Sequence, residues 1–316
     1  MTSPRQLTRR WIVVGAGGLL GGAVSSLVGG DPAAELVRVT VPWSDPEKSV
    51  QALSAQIGAV VSSGAPWTLL WCAGAAVVAS SPEALADERS VIERSLAAVA
   101  GALASTGDAG PGCVVLASSA GGVYAGSSDA PFTELTPTAP LAPYGWSKLA
   151  VEGLFRDFAE RTGVPLVVAR YSNLYGPGQD TTKAQGLVSQ LCLSHLRGRT
   201  SSIYVPGDTI RDYLFIDDAA ALTVDVARRA ADAPSGTVVT KILASQQGVT
   251  IGSLIGELQR IVKRRPSIVW GSHFTAAVQA PDLRFRSVVW TDLDERTLTP
   301  LPAGIHRTLL ALGAGR

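Results

Sequence analysis

A glycine-rich turn near the N-terminus constrains the fold of this chain more than any other feature. Residues 11–14 form a short apolar run that predicts a buried parallel strand, and the small, apolar residues 19–27 predict a helix. Between them lie Gly15, Gly18 and Gly21 in a G-x-x-G-x-x-G spacing. Glycines there allow a tight turn and let the N–H groups of the helix N-terminus approach a pyrophosphate. The strict G-x-G-x-x-G pattern is broken, so a tight turn without a ligand is the alternative.

Strand and helix patterns alternate through the first half of the chain, which predicts a parallel sheet covered by helices on both faces. Functional residues should then gather beyond the carboxyl ends of the strands. After residue 171 the chain becomes rich in loops. We predict a first domain of residues 1–173 plus about 211–246, and a smaller lobe of 174–210 plus 247–316. The further strands are predicted at 36–41, 67–73, 113–118, 166–170, 213–217 and 238–243, and the further helices at 50–61, 82–103, 147–162 and 218–231.

Charge and composition exclude several classes of protein. Lys and Arg number 27 against 26 Asp and Glu, so a nucleic-acid surface and a polybasic membrane anchor are not expected. The basic and apolar N-terminus mimics a signal peptide, but its regular glycines favour the strand, turn and helix. No membrane-spanning segment is expected. The scattered cysteines indicate reduced thiols in a cytoplasmic protein, and the three isolated histidines predict no metal site.

Tyr144 and Lys148 lie four residues apart in the stretch PYGWSK, at the start of a predicted helix. This spacing places both side chains on one face, one turn apart. A lysine ammonium near a phenol stabilises the phenolate, which makes a proton acceptor of a normally inert side chain. Tyrosine and lysine occur at this spacing by chance in many helices, so the pair gains its meaning from the glycine turn and the serines upstream.

Two other strand ends carry candidate binding groups. Ser118 ends the fourth predicted strand and Ser119 follows it, and their hydroxyls could bond a substrate oxygen or only satisfy backbone groups. The second strand lacks the acidic residue that binds an adenosine ribose. Arg38 could bind an NADP phosphate, Trp43 could line an unusual adenine pocket, and Arg38 as a surface residue is equally compatible.

Five segments together resemble the extended short-chain dehydrogenase/reductase superfamily, in its NAD-dependent epimerase/dehydratase branch that acts on nucleotide sugars. They are the glycine turn, SSAGGVY, PYGWSK, RYSNLYGPGQ and GDTIRDYLFIDDAA, and the C-terminal PAGIHRTL resembles the last helix of the family. The resemblance implies a Rossmann-type doubly wound parallel sheet with a smaller C-terminal α/β substrate-binding lobe. It also implies NAD or NADP, with NAD slightly favoured, a nucleotide-sugar substrate and a homodimer.

Roles for individual residues follow from the resemblance. Tyr144 would be the catalytic base and acid, Lys148 would hold the nicotinamide ribose, and Ser119 would steady the substrate oxygen. Arg211 would bind the substrate diphosphate, and an ion pair with Asp212 or Asp217 is the alternative. The remaining implied cofactor ligands are Gly15, Gly18, Leu19, Gly21, Arg38, Ala73 and Tyr171, and the remaining substrate ligands are Ser118, Asn173 and Arg284, with Arg286 as an alternative to Arg284.

The chain departs from the family pattern beside the second serine. Ala120 occupies the position where the family usually has serine or threonine, which favours Ser119 as the catalytic hydroxyl and leaves Ser118 open. Dehydratases of the family have threonine, aspartate and glutamate where this chain has Ala120, Gly121 and Gly122. This difference predicts that the protein is not a 4,6-dehydratase.

The resulting expectation is an NAD(P)-dependent 4-epimerase of a nucleotide sugar. An NADPH-dependent 4-ketoreductase would use the same residues for a single transfer, and the missing acid after the second strand keeps this alternative open. A catalytically silent dinucleotide-binding protein is the alternative from another class.

Overall fold

The computed structural model of the chain describes residues 8–74, 81–106, 110–183, 185–271 and 280–314. Its strands are β1 Arg9–Val14, β2 Ala34–Val39, β3 Trp67–Trp71, β4 Gly112–Ser119, β5 Leu166–Tyr171, β6 Asn173–Tyr175, β7 Ser201–Ile203, β8 Ile210–Phe215, β9 Val238–Leu243, β10 Gly248–Thr250, β11 Ile268–Trp270 and β12 Asp282–Leu283. Its helices are α1 Leu19–Gly29, α2 Pro46–Val61, α3 Pro82–Ser105, α4 Ala120–Tyr124, α5 Pro143–Thr162, α6 Leu187–Leu196, α7 Ile216–Ala231, α8 Ile251–Val262 and α9 Leu301–Ala314.

The largest sheet has six strands in the order β2-β1-β3-β4-β5-β9. The chain steps from β1 outward to β2, then returns to the other side of β1 with β3, and the pairs β1–β2, β1–β3 and β3–β4 are parallel. This reversal of direction beside β1 is the switch point at which open α/β sheets bind their ligands. The predicted Rossmann-type α/β fold is confirmed.

The local sequence explains these elements. All five residues of β3 are buried, as expected for a strand covered on both faces. Helix α3 begins at Pro82 behind Ser81, whose hydroxyl accepts a hydrogen bond from the N–H of Ala84. Asp45 caps α2 in the same way through the N–H of Lys48. Caps of this kind fix where each helix begins relative to its strand.

The chain divides into two compact units. The first comprises residues 1–118, 147–169 and 223–240, and the second comprises 119–146, 170–222 and 241–316. The core of the first unit is aliphatic and aromatic, with Trp71 packed edge-on against Phe155 at a ring-centroid distance of 5.4 Å.

The second unit has its own small sheet. Strand β8 pairs with β6, β10 and β12, although the sequence analysis assigned this segment to the first domain. Residues 119–146 likewise belong with the second unit in the structure. The physical reason is hydrogen bonding: β8 finds its partners within the second unit and not in the six-stranded sheet, which periodicity alone does not reveal.

A group of polar and charged side chains around a buried lysine connects distant segments of the second unit. The Nζ of Lys241, a fully buried residue, donates to Ser287 Oγ and to Asp294 Oδ2, both at 2.7 Å. Ser287 Oγ in turn donates to Glu134 Oε1 at 2.5 Å. The backbone N–H groups of Ile242 and Val288 donate to the two Glu134 carboxylate oxygens. We call Glu134, Lys241, Ser287 and Asp294 the polar network.

Among the described residues, the helices are all too short or too polar to cross a membrane. The three cysteines, Cys72, Cys113 and Cys192, are free thiols.

Candidate active site

The glycine turn of the first unit is built by close backbone contacts. Gly15 has φ +88°, and a Cβ on it would lie 2.6 Å from the backbone nitrogen of Ala73. A Cβ on Gly21 would lie 2.1 Å from the carbonyl oxygen of Gly15. Both distances are far below van der Waals contact, so these two positions require glycine whether or not a ligand binds.

The N-terminus of α1 remains open for an anion. Gly18 precedes the helix, which starts at Leu19, and no side chain of the described residues caps its free N–H groups. A Cβ on Gly17 would meet nothing within 4 Å. Exposed N–H groups, the positive end of the helix dipole and unobstructed backbone are the features that hold a pyrophosphate. The turn therefore fits the dinucleotide that the sequence predicts.

Arg38 does not reach this turn. It is an exposed residue, and its Nη2 lies 3.9 Å from the place of a Cβ on Gly29, the last residue of α1. An α-helix rises 1.5 Å per residue, so Gly29 and Leu19 are about 15 Å apart. The guanidinium thus lies near the carbonyl end of the helix, where a cation interacts favourably with the dipole.

Lys148 reaches the loop that follows β3. A Cβ on Gly74 would lie 3.0 Å from Lys148 Nζ, so the absence of a side chain at residue 74 makes room for the ammonium. Ala73, next to Gly74, contacts Gly15 of the glycine turn. We call Gly15, Gly21, Ala73 and Gly74 the glycine floor. It is a stretch of nearly bare backbone that leads from the N-terminus of α1 to Lys148.

Tyr144 lies in the first turn of α5, one turn before Lys148 on the same helix. A Cβ on Gly122 would lie 2.9 Å from Tyr144 Cε1 and 3.2 Å from Ser119 Oγ. Gly122 thus brings the tyrosine ring and the Ser119 hydroxyl to the same point. Gly145 has a similar role, because a Cβ there would lie 2.1 Å from the Gly122 carbonyl oxygen.

The two adjacent serines have different partners. Ser119 Oγ accepts a hydrogen bond from the N–H of Gly122 at 3.1 Å, which leaves its proton available for donation. Ser118 Oγ donates to Glu152 Oε1 at 2.6 Å, and Glu152 is only 2% exposed. The Ser118 proton is therefore committed to a buried carboxylate, one turn beyond Lys148 on α5.

The predicted substrate ligands of the second unit lie on or beside its small sheet. Asn173 Nδ2 donates to the backbone oxygen of Asp212 at 2.9 Å. Arg211 Nη1 donates to the carbonyl oxygens of Ile210 and Ala280, and burial lowers the pKa of its guanidinium. A phosphate that binds Arg211 would have to share it with these carbonyls.

Other predicted residues are engaged or buried. Arg284 forms a two-point ion pair with Asp282, with Nη2 at 2.7 Å from Oδ2. Arg286 is exposed, and Tyr171 is buried at the end of β5. No cluster of three or more metal-ligating side chains occurs in the described ranges.

Burial also perturbs one acid that the sequence analysis did not select. Asp212 is fully buried, and its Oδ1 accepts a hydrogen bond from the N–H of Ser245 at 2.9 Å. Burial raises the pKa of Asp212 to about 6, against the lowering effect of Ser172 and Ser245. Glu152 was also not predicted as a site residue from the sequence, although its spacing of four residues from Lys148 places it one turn further along the same helix.

Comparisons with known proteins identify the relatives of the chain. The profile of the NAD dependent epimerase/dehydratase family matches residues 11–240. A Methanocaldococcus jannaschii protein that carries the name of a UDP-glucose 4-epimerase is 34% identical over 107 residues, which are 34% of this chain and 35% of that protein. The dTDP-glucose 4,6-dehydratase of Neisseria gonorrhoeae is 40% identical over 89 residues, 28% of this chain and 25% of that enzyme. The chain thus matches about a third or less of the length of these relatives.

The fold has similar solved structures. UDP-glucose 4-epimerase of Thermotoga maritima, determined with UDP-glucose, has a TM-score of 0.78 and 20% identity, with 97% of this chain and 99% of that chain covered. At this identity the likeness shows the fold alone.

The predicted exclusion of a dehydratase is wrong. The relatives include several dTDP-glucose 4,6-dehydratases, and an NDP-hexosamine 5,6-dehydratase, TunA, is similar in structure with a TM-score of 0.75 at 22% identity over 97% of this chain and 98% of that one. The exclusion assumed that an acid for water elimination must stand at residues 120–122. A proton donor can come from any element that faces the substrate, so three residues on one short helix do not decide the reaction.

Proposed function

We propose, from the premise that this chain belongs to the NAD-dependent epimerase/dehydratase family, that it is a nucleotide-sugar 4-epimerase. The observation that carries the proposal is the cluster of Ser119, Gly122 and Tyr144, with Lys148 one turn further along α5. It supplies a base, a hydrogen-bond donor for the substrate oxygen and a cation that supports the base.

Tyr144 acts first as a base. Its phenolate oxygen accepts the proton of the sugar 4-hydroxyl while the C4–H bond breaks and a C4–O double bond forms. Ser119 donates a hydrogen bond to this oxygen, since its Oγ accepts from the N–H of Gly122 and its proton remains available. When bound, NAD would supply the acceptor for the hydrogen and electron pair that leave C4, and the source from which C4 regains them. The 4-keto sugar has to turn over in the site so that C4 regains the hydrogen on its opposite face. Tyr144 then gives its proton back to the oxygen, so the net reaction inverts C4 without consuming a reagent.

The glycine floor supports NAD as the cofactor. Its pyrophosphate would lie on the N–H groups at the start of α1, beside Gly18 and Leu19. The Arg38 guanidinium lies beside Gly29, at the carbonyl end of α1 and not at the glycine turn, and this placement supports NAD over NADP.

A dehydration that begins with the same oxidation at C4 is the second candidate, and the 40% identity to a 4,6-dehydratase over 89 residues favours it. One experiment separates the candidates. The purified protein is incubated with NAD and with UDP- or dTDP-hexoses, and the products are identified by proton NMR.

Interconversion of the gluco and galacto forms with no net change in NAD supports the epimerase, and loss of this conversion in Tyr144→Phe supports the assigned base. A 4-keto-6-deoxy product overturns the epimerase in favour of dehydration. Consumption of NADPH with a 4-keto sugar nucleotide would instead identify a ketoreductase, and cofactor binding without any turnover would identify a silent binding protein. The homodimer and the cytoplasmic location stay predictions, which light scattering and cell fractionation would test.

A further inference from the structure

We infer that Glu88 of α3 is a ligand of the cofactor, and that it binds the ribose on the nicotinamide side together with Lys148. The inference rests on the proposed function only in so far as a dinucleotide binds on the glycine floor. It adds a residue that the sequence motifs do not contain.

The position of Glu88 is fixed by Gly74. A Cβ on Gly74 would lie 3.6 Å from Glu88 Oε1 and 3.0 Å from Lys148 Nζ. The carboxylate and the ammonium therefore approach the same point above one residue that has no side chain. All three residues belong to the first unit.

The same point lies on the path of a dinucleotide. Its pyrophosphate would occupy the N-terminus of α1, and Gly15 of that turn contacts Ala73, which directly precedes Gly74. The part of the cofactor that extends from the pyrophosphate toward Lys148 has to cross Ala73 and Gly74. In a dinucleotide, that part is the second ribose.

The two charged groups suit a vicinal diol. A lysine ammonium only donates hydrogen bonds, and an ionised carboxylate only accepts them. A ribose has two hydroxyls, each of which can donate and accept, so one diol can satisfy both groups at once. Hydrogen bonds to charged groups are roughly twice as strong as those between neutral groups, so this pair would anchor the ribose firmly.

The Glu88 carboxylate forms no hydrogen bond or ion pair with another described residue. Glu47, on α2, is by contrast held by Arg94 through two hydrogen bonds of 2.6 Å. Glu88 is partly buried, so it is not simply a solvated surface charge. An acceptor in this state is ready for a ligand that donates.

The test compares three ligands that differ only beyond the second phosphate: NAD, ADP-ribose and ADP. ADP-ribose retains the second ribose without the nicotinamide, and ADP lacks both. Their dissociation constants are measured by calorimetry on the full chain and on Glu88→Gln. The control is Glu93→Gln, which changes an exposed glutamate on the same helix. Thermal unfolding of both variants verifies that they fold.

We expect Glu88→Gln to weaken NAD and ADP-ribose about tenfold, as expected for loss of a charged hydrogen bond, and to leave ADP unchanged. Glu93→Gln should change none of the three. Equal weakening of ADP, or no change with any ligand, would overturn the inference, and so would tighter binding, which would mean that Glu88 only competes for Lys148. Because the readout is binding, a protein with this pattern but no epimerisation would refute the proposed function and keep the role of Glu88.

Discussion

The glycine floor of the first unit and the polar network of the second unit are held together by different interactions. In the glycine floor, side chains are absent, and backbone atoms approach so closely that a methyl group on Gly21 would lie 2.1 Å from an oxygen. In the polar network, a completely buried lysine, Lys241, is paired with the partly buried Asp294. The first region is held by steric fit and presents a surface for a ligand. The second is held by a charged pair around a buried lysine, and we interpret it as a structural element.

The polar network should show the largest effect. Lys241→Met removes the buried cation and leaves the partly buried Asp294 without its partner, which should lower the free energy of unfolding by about 3 kcal/mol. Urea denaturation measures this change. The double variant Lys241→Met/Asp294→Leu, which removes both charges, should recover a large part of it. A loss below about 1 kcal/mol in the single variant would show that the buried pair contributes as little as a surface ion pair.

The glycine floor is tested by two alanine substitutions that differ in the space around them. Gly21→Ala places a methyl group against backbone, so the free energy of unfolding should fall by about 2–3 kcal/mol and NAD binding should be lost. Gly17→Ala is the matched control, since a Cβ there meets nothing within 4 Å and stability should hardly change. Denaturation and calorimetric titration with NAD provide the two measurements. Equal stability of the two variants would refute the steric account.

Ser118 is the last residue of the first segment of the first unit, and Ser119 is the first residue of the second unit. Substitutions at these two serines separate a structural role from a catalytic one. Ser119→Ala should lower kcat about a hundredfold, because it removes the donor to the substrate oxygen. Ser118→Ala removes the hydrogen bond to Glu152 and should act on stability, by about 1 kcal/mol, with a smaller change in kcat. Rates with one nucleotide hexose are compared with unfolding free energies. The reverse ranking would assign the catalytic hydroxyl to Ser118.

Substitution of Asp212 should change the free energy of unfolding least, and mainly above mildly acidic pH. Its pKa of about 6 in the fold exceeds the value of about 3.9 in an unfolded chain, so the folded state binds the proton more tightly. The stability that comes from the proton is therefore lost as pH rises from about 4 to 6, and stays lost above. Asp212→Asn should exceed the wild type in unfolding free energy by about 1–2 kcal/mol at about pH 8, and less at about pH 5. An equal difference at both pH values would contradict this titration.

The sequence predicted those features that depend only on residues close together in the chain. Gly15 and Gly21 are only six residues apart, and strand, turn and helix follow each other directly, so spacing alone predicted the turn. Tyr144 and Lys148 are four residues apart, so their spacing alone predicted that they lie one turn apart on one helix. The fold class followed from the alternation of strands and helices and from the family motifs.

Partners that are distant in the chain could not be predicted. The different roles of Ser118 and Ser119 depend on Glu152, 34 residues away, and on the packing of Gly122 against Tyr144. Lys241 and Asp294 are 53 residues apart, and neither belongs to a readable motif. The direction of Arg38, the pairing of β8 and the approach of Glu88 to Gly74 are likewise properties of packing. The exclusion of dehydration was wrong because it considered only the residues of one short helix as proton donors.

The central claim is that Tyr144 removes the proton that lets C4 of a sugar be oxidised. The direct measurement is the near-ultraviolet absorbance of reduced nicotinamide after rapid mixing of NAD-loaded protein with a nucleotide hexose that it converts. The wild type should form reduced nicotinamide, and Tyr144→Phe should do so about a thousandfold more slowly while its affinity for NAD stays within about threefold of the wild type. Formation of reduced nicotinamide by Tyr144→Phe at close to the wild-type rate would contradict the account.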